Sequence, residues 1–303
     1  MGENIIFWIG FNVFVVVMLV LDLGVFHKEI RKVPVREAII WTLIWITIAM
    51  LFDAVIFLNM GRTKALEFLT GYVIEYSLSV DNIFVFILIF SFFKVNEKYQ
   101  HKVLFWGIIG ALVMRAIFIF TGIALINRFH WIIYIFGGFL VITGIRMLFH
   151  EEIHVEPDKN PVARFFRRFL PITDTMSEDK FFIRQNSRIY LTPLFMVLLI
   201  IESSDLIFAV DSIPAVLAIS RDSFIVYTSN IFAILGLRSL YFAISGMMEY
   251  FRFLKIGLAF VLTFVGVKMT ISGFIVIPIL LSLLVILSIL LISIVASLVI
   301  KKR

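Results

Sequence analysis

Cysteine is absent from the 303 residues, which removes structural disulfides, thiolate zinc sites, iron–sulfur clusters and cysteine nucleophiles together. Charge is scarce as well. Asp, Glu, Lys and Arg make up 16% of the chain and hydrophobic residues 61%, with a mean hydropathy of +1.06. A soluble globular domain carries about 25% charged and roughly 45–50% apolar residues, so this chain has too little polar surface to cover a water-facing body and reads as a membrane protein. The five histidines, His27, His101, His130, His150 and His154, all fall at or beyond the ends of apolar runs, which argues against an imidazole-built zinc or copper centre in the membrane. No HExxH motif occurs and no span pairs a serine with a central histidine, so an intramembrane hydrolase is set aside. No enzyme activity and no organic cofactor are expected.

What is abundant is apolar sequence in lengths that cross a bilayer. A spanning helix needs about 20 mostly apolar residues, and nine segments qualify: Ile5 to Phe26, Ala38 to Leu58, Leu66 to Phe93, Val103 to Ile126, Trp131 to Phe149, Leu191 to Ile219, Phe224 to Met247, Phe253 to Ile271 and Phe274 to Ile300. The first reads as a retained helix, since Glu3 stands where a secretory leader has Lys or Arg and no small-residue cleavage site follows. Lys and Arg of the connections divide 19 to 4 between the two sides, which places the N-terminus outside and the C-terminus and the 150–190 loop in the cytoplasm. The net charge of +6 is thereby explained by topology, and no nucleic-acid partner is expected. The 150–190 loop, with Pro157, Pro161, Pro171 and the basic-aromatic stretch Arg164 to Phe169, reads as a solvated linker that touches the headgroups.

An internal repeat is legible. Val80 to Ile83 (VDNI) returns as Val210 to Ile213 (VDSI), with Glu75 and Asp205 six residues ahead of Asp81 and Asp211. Arg115 and Gly122 of the fourth span are matched by Arg238 and Gly246 of the seventh, and Gly144 to Met147 by Gly266 to Met269. Each copy holds three helices, an odd number, so the second must run inverted in the bilayer, as in transporters whose halves exchange inward-open and outward-open states around a midplane site. The expected fold is all-α and polytopic, about nine helices on an inverted 3+3 repeat. Its parts are two N-terminal helices (1–65), the first repeat (66–149), the cytoplasmic loop (150–190), the second repeat (191–272) and a final helix (273–303).

Seven carboxylates lie within the spans: Asp22, Asp53, Glu75, Asp81, Glu202, Asp205 and Asp211. An acid at a helix centre costs about 2.5–3.5 kcal/mol on insertion scales. Only four basic residues, Arg115, Arg146, Arg238 and Lys268, are available to pair with them. An excess of carboxylates in low dielectric must be protonated or must hold a cation. Oxygen donors alone, the acids with Asn82 and the hydroxyls of Ser77, Ser79, Ser203, Ser204 and Ser212, suit a hard divalent ion such as Mn, Mg or Ca. The competing reading is that each acid pairs with a base and locks helices together. Asp22 and Asp53 stand singly and are candidates for proton coupling. Arg115 and Arg238 either gate the site or neutralise part of it permanently.

Residues six apart on a helix are about 120° apart in rotation, so a continuous helix cannot aim both acids of a pair at one ion. Pro214 therefore predicts a sixth span kinked or interrupted around 205–214. The other solution is a site drawing one or two acids from each repeat, the remainder carrying protons.

Gly71 to Phe86 (GYVIEYSLSVDNIFVF), Ile201 to Val216 (IESSDLIFAVDSIPAV), Thr228 to Phe242 (TSNIFAILGLRSLYF) and Ile172 to Thr175 (ITDT) ahead of Phe181 to Asn186 (FFIRQN) resemble the TerC family of integral membrane proteins, its Alx branch in particular. The likeness covers most of the chain. It implies manganese homeostasis, with Mn2+ exported across a bacterial cytoplasmic membrane, and it implies roles for Glu75, Asp81, Glu202, Asp205 and Asp211, with Asn82 and Ser212 as lesser candidates. The expected partners are a divalent ion, protons and the lipid bilayer; the sequence leaves open whether the protein is a homo-oligomer. The alternative is a non-transporting metal-handling or sensor protein linked to stress or tellurite resistance.

Overall fold

A computed structural model describes residues 2–24, 33–129, 131–149, 180–185, 188–246, 253–275 and 277–300. Their order is α1 (Gly2–Gly24), α2 (Val35–Met60), α3 (Arg62–Phe92), α4 (Glu97–Arg128), α5 (Ile132–Phe149), β1 (Phe182–Gln185), β2 (Arg188–Leu191), α6 (Pro193–Leu217), α7 (Ser223–Leu235), α8 (Leu237–Ser245), α9 (Leu254–Ile271) and α10 (Ile279–Val299). Seven of these helices are long and apolar enough to cross a bilayer, eight if α7 and α8 form one bent span. The first helix holds a shorter apolar stretch, Ile5–Leu21. Large apolar side chains such as Leu51 and Leu58 of α2 and Leu291, Ile292 and Val299 of α10 stand exposed, as expected of surfaces that face lipid rather than water. The fold is thus all-α and polytopic. Most of the 150–190 connection lies outside the described residues; its end adds a small antiparallel hairpin in which Ile183 stands opposite Tyr190.

Polar residues at the span ends set the boundaries. The Thr192 hydroxyl accepts from the Phe195 amide at 3.3 Å, and Pro193 occupies the first turn of α6, where a missing N–H breaks no helical bond. The Asp222 carboxylate caps α7 by accepting from Phe224 and Ile225. The same Asp222 and Glu67 of α3 each lie 3.0 Å from Lys64 Nζ, and Ser220 donates to Glu67 at 2.5 Å. The start of α3 is thereby tied to the α6–α7 connection. Between α2 and α3 the chain reverses at Gly61, whose φ of 87° lies in the region that disfavours any side chain.

Helices α3 and α6 pack against each other near the middle of the bundle, with Ile74, Ile83 and Ile89 of one and Val197 and Ile200 of the other fully buried. Helices α5 and α9 approach each other closely. A β-carbon at Gly266 would stand 2.7 Å from the Gly137 carbonyl oxygen and the Val141 amide nitrogen, and one at Gly144 would stand 2.7 Å from the Ala259 carbonyl oxygen. Small residues permit this approach, as in other helix pairs packed without a hydrophobic driving force.

The expected interruption of the sixth span is not found. Helix α6 runs unbroken through 205–214 with Pro214 inside it. Proline falls in the last turn, where it removes one ladder bond only, and the ladder resumes with the Ala218 amide on the Pro214 carbonyl at 3.0 Å. The break comes one span later, at Gly236, where α7 and α8 meet at 41°. Gly236 sits against the ring of Tyr76 and the side chain of Trp45.

Candidate functional site

The rotation of an α-helix decides which acids meet. On α3, Glu75, Ser79 and Asn82 follow one another at four- and three-residue spacing and so share a stripe; on α6, Glu202, Asp205, Ala209 and Ser212 do the same. Where the two stripes cross, Asn82 Nδ2 donates to Asp205 Oδ1 at 3.3 Å. Glu75 is 0% exposed and Asp205 4%.

Arg115 of α4, itself 1% exposed, enters this crossing. Its guanidinium is ion-paired to Glu75 and lies 3.5 Å from Asp205 Oδ1. It also donates to Ser212 Oγ at 3.3 Å and to Asn230 Oδ1 at 3.2 Å. The Asn230 amide is oriented by its own helix, since Nδ2 donates to the Val226 carbonyl at 3.0 Å, leaving Oδ1 turned to the arginine. Two carboxylates thus share one guanidinium in a place closed to water, where the desolvation of each charge is offset only by its partners. Among the described residues, Glu75 Oε2, Ser79 Oγ and Arg115 Nε have no hydrogen-bond partner.

The other expected site residues separate. Asp211, six residues beyond Asp205, is half-buried and accepts from Thr143 of α5 at 3.3 Å, on a different side of α6 from the Arg115 cluster. That is the divergence the helix geometry demands. Glu202 is half-buried against α4, where a β-carbon on Gly110 would run into its carboxylate; its Oε1 has no hydrogen-bond partner among the described residues. It borders a small cavity between α4, α6 and α8. Asp205, Arg238, Gly107, Ala111 and Leu237 also line this cavity. Asp53 is half-buried on α2, with Oδ1 lacking a hydrogen-bond partner among the described residues. The side chains of Asp22 and Asp81 lie outside the described residues. Among the described residues, no three His, Asp or Glu side chains come close enough together to hold a metal ion by themselves.

The serines sort by their hydrogen bonds. Ser77, Ser203 and Ser204 each donate to a carbonyl of their own helix, of Val73, Ile200 and Ile200 respectively, the usual disposal of a hydroxyl in a helix interior. Ser212 faces the guanidinium instead. Asn230 and Thr143 did not emerge as site residues from the sequence. The signal that marks Asn230 is an amide in the middle of an apolar run, where polar groups are costly; Thr143 carries no comparable mark.

Comparison with known proteins extends this picture. The sequence profile of the integral membrane protein TerC family matches residues 60–303. An uncharacterized membrane protein of Myxococcus xanthus, STKORF319, is 51% identical over 296 residues, covering 98% of this chain and 92% of that protein. An uncharacterized membrane protein of Rickettsia bellii is 43% identical over 294 residues, covering 97% of each chain. The Escherichia coli (strain K12) protein Alx, described by name as a membrane-bound redox modulator, is 48% identical over 286 residues, covering 91% of this chain and 89% of that protein. No solved structure matches the chain.

Proposed function

The chain belongs to the TerC family of integral membrane proteins, and on that premise we propose that it is a secondary transporter that exports Mn2+, or a similar hard divalent cation, from a bacterial cytoplasm in exchange for protons. The observation that carries this reading is the buried crossing of α3 and α6. Glu75 and Asp205, one from each repeat, share a single guanidinium there, beside neutral oxygens of Ser212 and Asn230. One negative charge in excess, with the oxygens of Glu75, Asp205, Ser212 and Asn230 as the acceptors that converge there, is a place for a hard cation or for a proton.

The two-halves architecture is supported by the α5–α9 contact. Shifting each residue by the repeat offset turns Gly137 into Ala259 and Gly266 into Gly144, and the contact of Gly137 with Gly266 becomes the contact of Ala259 with Gly144, which is also present. A pseudo-two-fold axis between α5 and α9 has this property. In the proposed topology the N-terminus is outside, the C-terminus and the 150–190 loop are cytoplasmic, and Lys64, Glu67 and Asp222 lie at the outer mouth.

Proton exchange has an energetic rationale. Moving a divalent ion outward against 100 mV, inside negative, costs about twice 2.3 kcal/mol, and two protons moving inward cancel that charge. A redox role like that in the name of the Alx relatives could not use thiols of this chain, which has none. Mn2+ flux into and out of proteoliposomes with an imposed pH gradient tests the proposal. Flux should follow the gradient, reverse with it, and be lost in Glu75→Gln and Asp205→Asn. Stoichiometric binding with no flux would instead identify a sensor or carrier without turnover.

A further inference from the structure

We infer that Arg115 is the resident counter-ion of the cation site, and that a divalent ion binds by displacing its guanidinium from ligands the two share: Glu75, Asp205, Ser212 and Asn230. This deepens the transport reading and rests on it. The geometry around one nitrogen carries the argument. Arg115 Nη1 bears two N–H groups, yet it has three acceptors, the Glu75 carboxylate, Ser212 Oγ at 3.3 Å and Asn230 Oδ1 at 3.2 Å, which come from α3, α6 and α7. Asp205 adds a fourth oxygen at 3.5 Å from Nη2. Three acceptors for the two N–H groups of Nη1, converging on that nitrogen from three helices, are the arrangement of a coordination shell rather than of a planar fork matched to one carboxylate.

The fit to arginine is incomplete in the opposite sense as well. Among the described residues, the Nε–H of the fully buried Arg115 finds no acceptor, while Glu75 Oε2 and Ser79 Oγ, on one stripe of α3, find no donor. A lock evolved only to hold helices together leaves few such groups, because each costs free energy when buried. A spherical ion has no such directional requirement. It needs its oxygens at about 2.0–2.6 Å, so Ser212 Oγ and Asn230 Oδ1, 3.3 and 3.2 Å from Nη1, must close by roughly 1 Å on an ion that takes the place of that nitrogen. That contraction draws α6 and α7 toward Glu75 of α3 and removes the Arg115 tie between α4 and the other three. The occupied and empty sites therefore differ in helix position, as exchange between two access states requires.

The experiment uses the purified full chain in detergent with Mn2+ as the probe, free ion being followed by its electron paramagnetic resonance signal. Arg115→Met, which keeps the stem and removes the charge, should bind Mn2+ at least roughly tenfold more tightly than the wild type while net flux in proteoliposomes falls. In Arg115→Gly, millimolar guanidinium should compete with Mn2+, and it should leave wild-type binding unchanged. Equal or weaker Mn2+ binding by Arg115→Met, with no competition by guanidinium in Arg115→Gly, overturns the exchange while leaving the site reading in place if wild-type binding and flux persist. Failure of the wild type to bind or move Mn2+ overturns the site reading itself. Should both variants fail to fold, infrared difference spectra of the wild type with isotope-labelled arginine decide the question. A guanidinium band that moves on Mn2+ addition supports displacement, and bound Mn2+ with an unmoved band refutes it.

Discussion

Removing either partner of the Arg115–Glu75 pair should have unequal consequences, and the inequality follows from the neighbours. Glu75→Gln keeps the shape of the side chain and leaves Arg115 facing Asp205 at 3.5 Å, with Ser212 and Asn230 still accepting from it. Arg115→Met leaves Glu75 and Asp205, 0% and 4% exposed, without a cation between them. Breaking a buried pair from one side costs about 3–5 kcal/mol because the other charge is stranded. The arginine variant should sit at or above the top of that range, and Glu75→Gln at or below the bottom, since Asp205 takes over as partner. The double variant should recover part of the loss, with a coupling of about 2–3 kcal/mol in a double-mutant cycle. Mn2+ at 100 times its Kd should return about 2.7 kcal/mol to Arg115→Met by mass action. Unfolding in mixed detergent micles, with and without Mn2+, reads all four species. Greater damage from Glu75→Gln than from Arg115→Met, or a coupling below about 0.5 kcal/mol, would refute the claim that one guanidinium serves two carboxylates.

Four further substitutions separate packing from function. In Gly110→Ala the nearest atoms to the new methyl are the far end of the flexible Glu202 side chain, so thermal stability should be nearly unchanged while the displaced carboxylate lowers Mn2+ flux roughly tenfold, equivalent to about 1.4 kcal/mol; wild-type flux would remove Glu202 from the pathway. Gly266→Ala places its methyl 2.7 Å from backbone atoms of α5 that cannot turn aside, and the overpacking should cost about 1–3 kcal/mol. Gly138→Ala, with nothing within 4 Å of the new atom, is the neutral control in the same unfolding assay. Lys64→Met loses two ion pairs whose members are 32%, 12% and 26% exposed. Screening by solvent limits the stability loss to about 1 kcal/mol or less, and a loss of several kcal/mol would mean that this end of the bundle is held more tightly than its exposure implies.

How much of the site could be read in advance depends on the range of the interaction concerned. The stripe of Glu75, Ser79 and Asn82 and the divergence of Asp205 from Asp211 follow from 3.6 residues per turn, and both are visible in the letters. The convergence of Asn230 with Arg115, and of Thr143 with Asp211, joins residues 115 and 68 positions apart, and no local pattern encodes it. Pro214 misled for a related reason: a proline signals a lost hydrogen bond, but the damage depends on how much helix lies beyond it, and here α6 ends three residues later. Gly236, where the bend occurs, sits in an unbroken apolar run and is distinguished by what packs against it, the ring of Tyr76 and the side chain of Trp45.

The amino-acid sequence by itself determined the solvent this protein lives in, the helical class and the scarcity of cations for its buried acids, because the free energy of placing side chains in hydrocarbon is nearly additive along the chain. Only the tertiary structure decided which acids share Arg115, which of them stands apart on Thr143 or against Gly110, and where the backbone bends. Those outcomes depend on helix rotation and on contacts within a few ångströms between distant segments, where a change of one residue in register exchanges one partner for another.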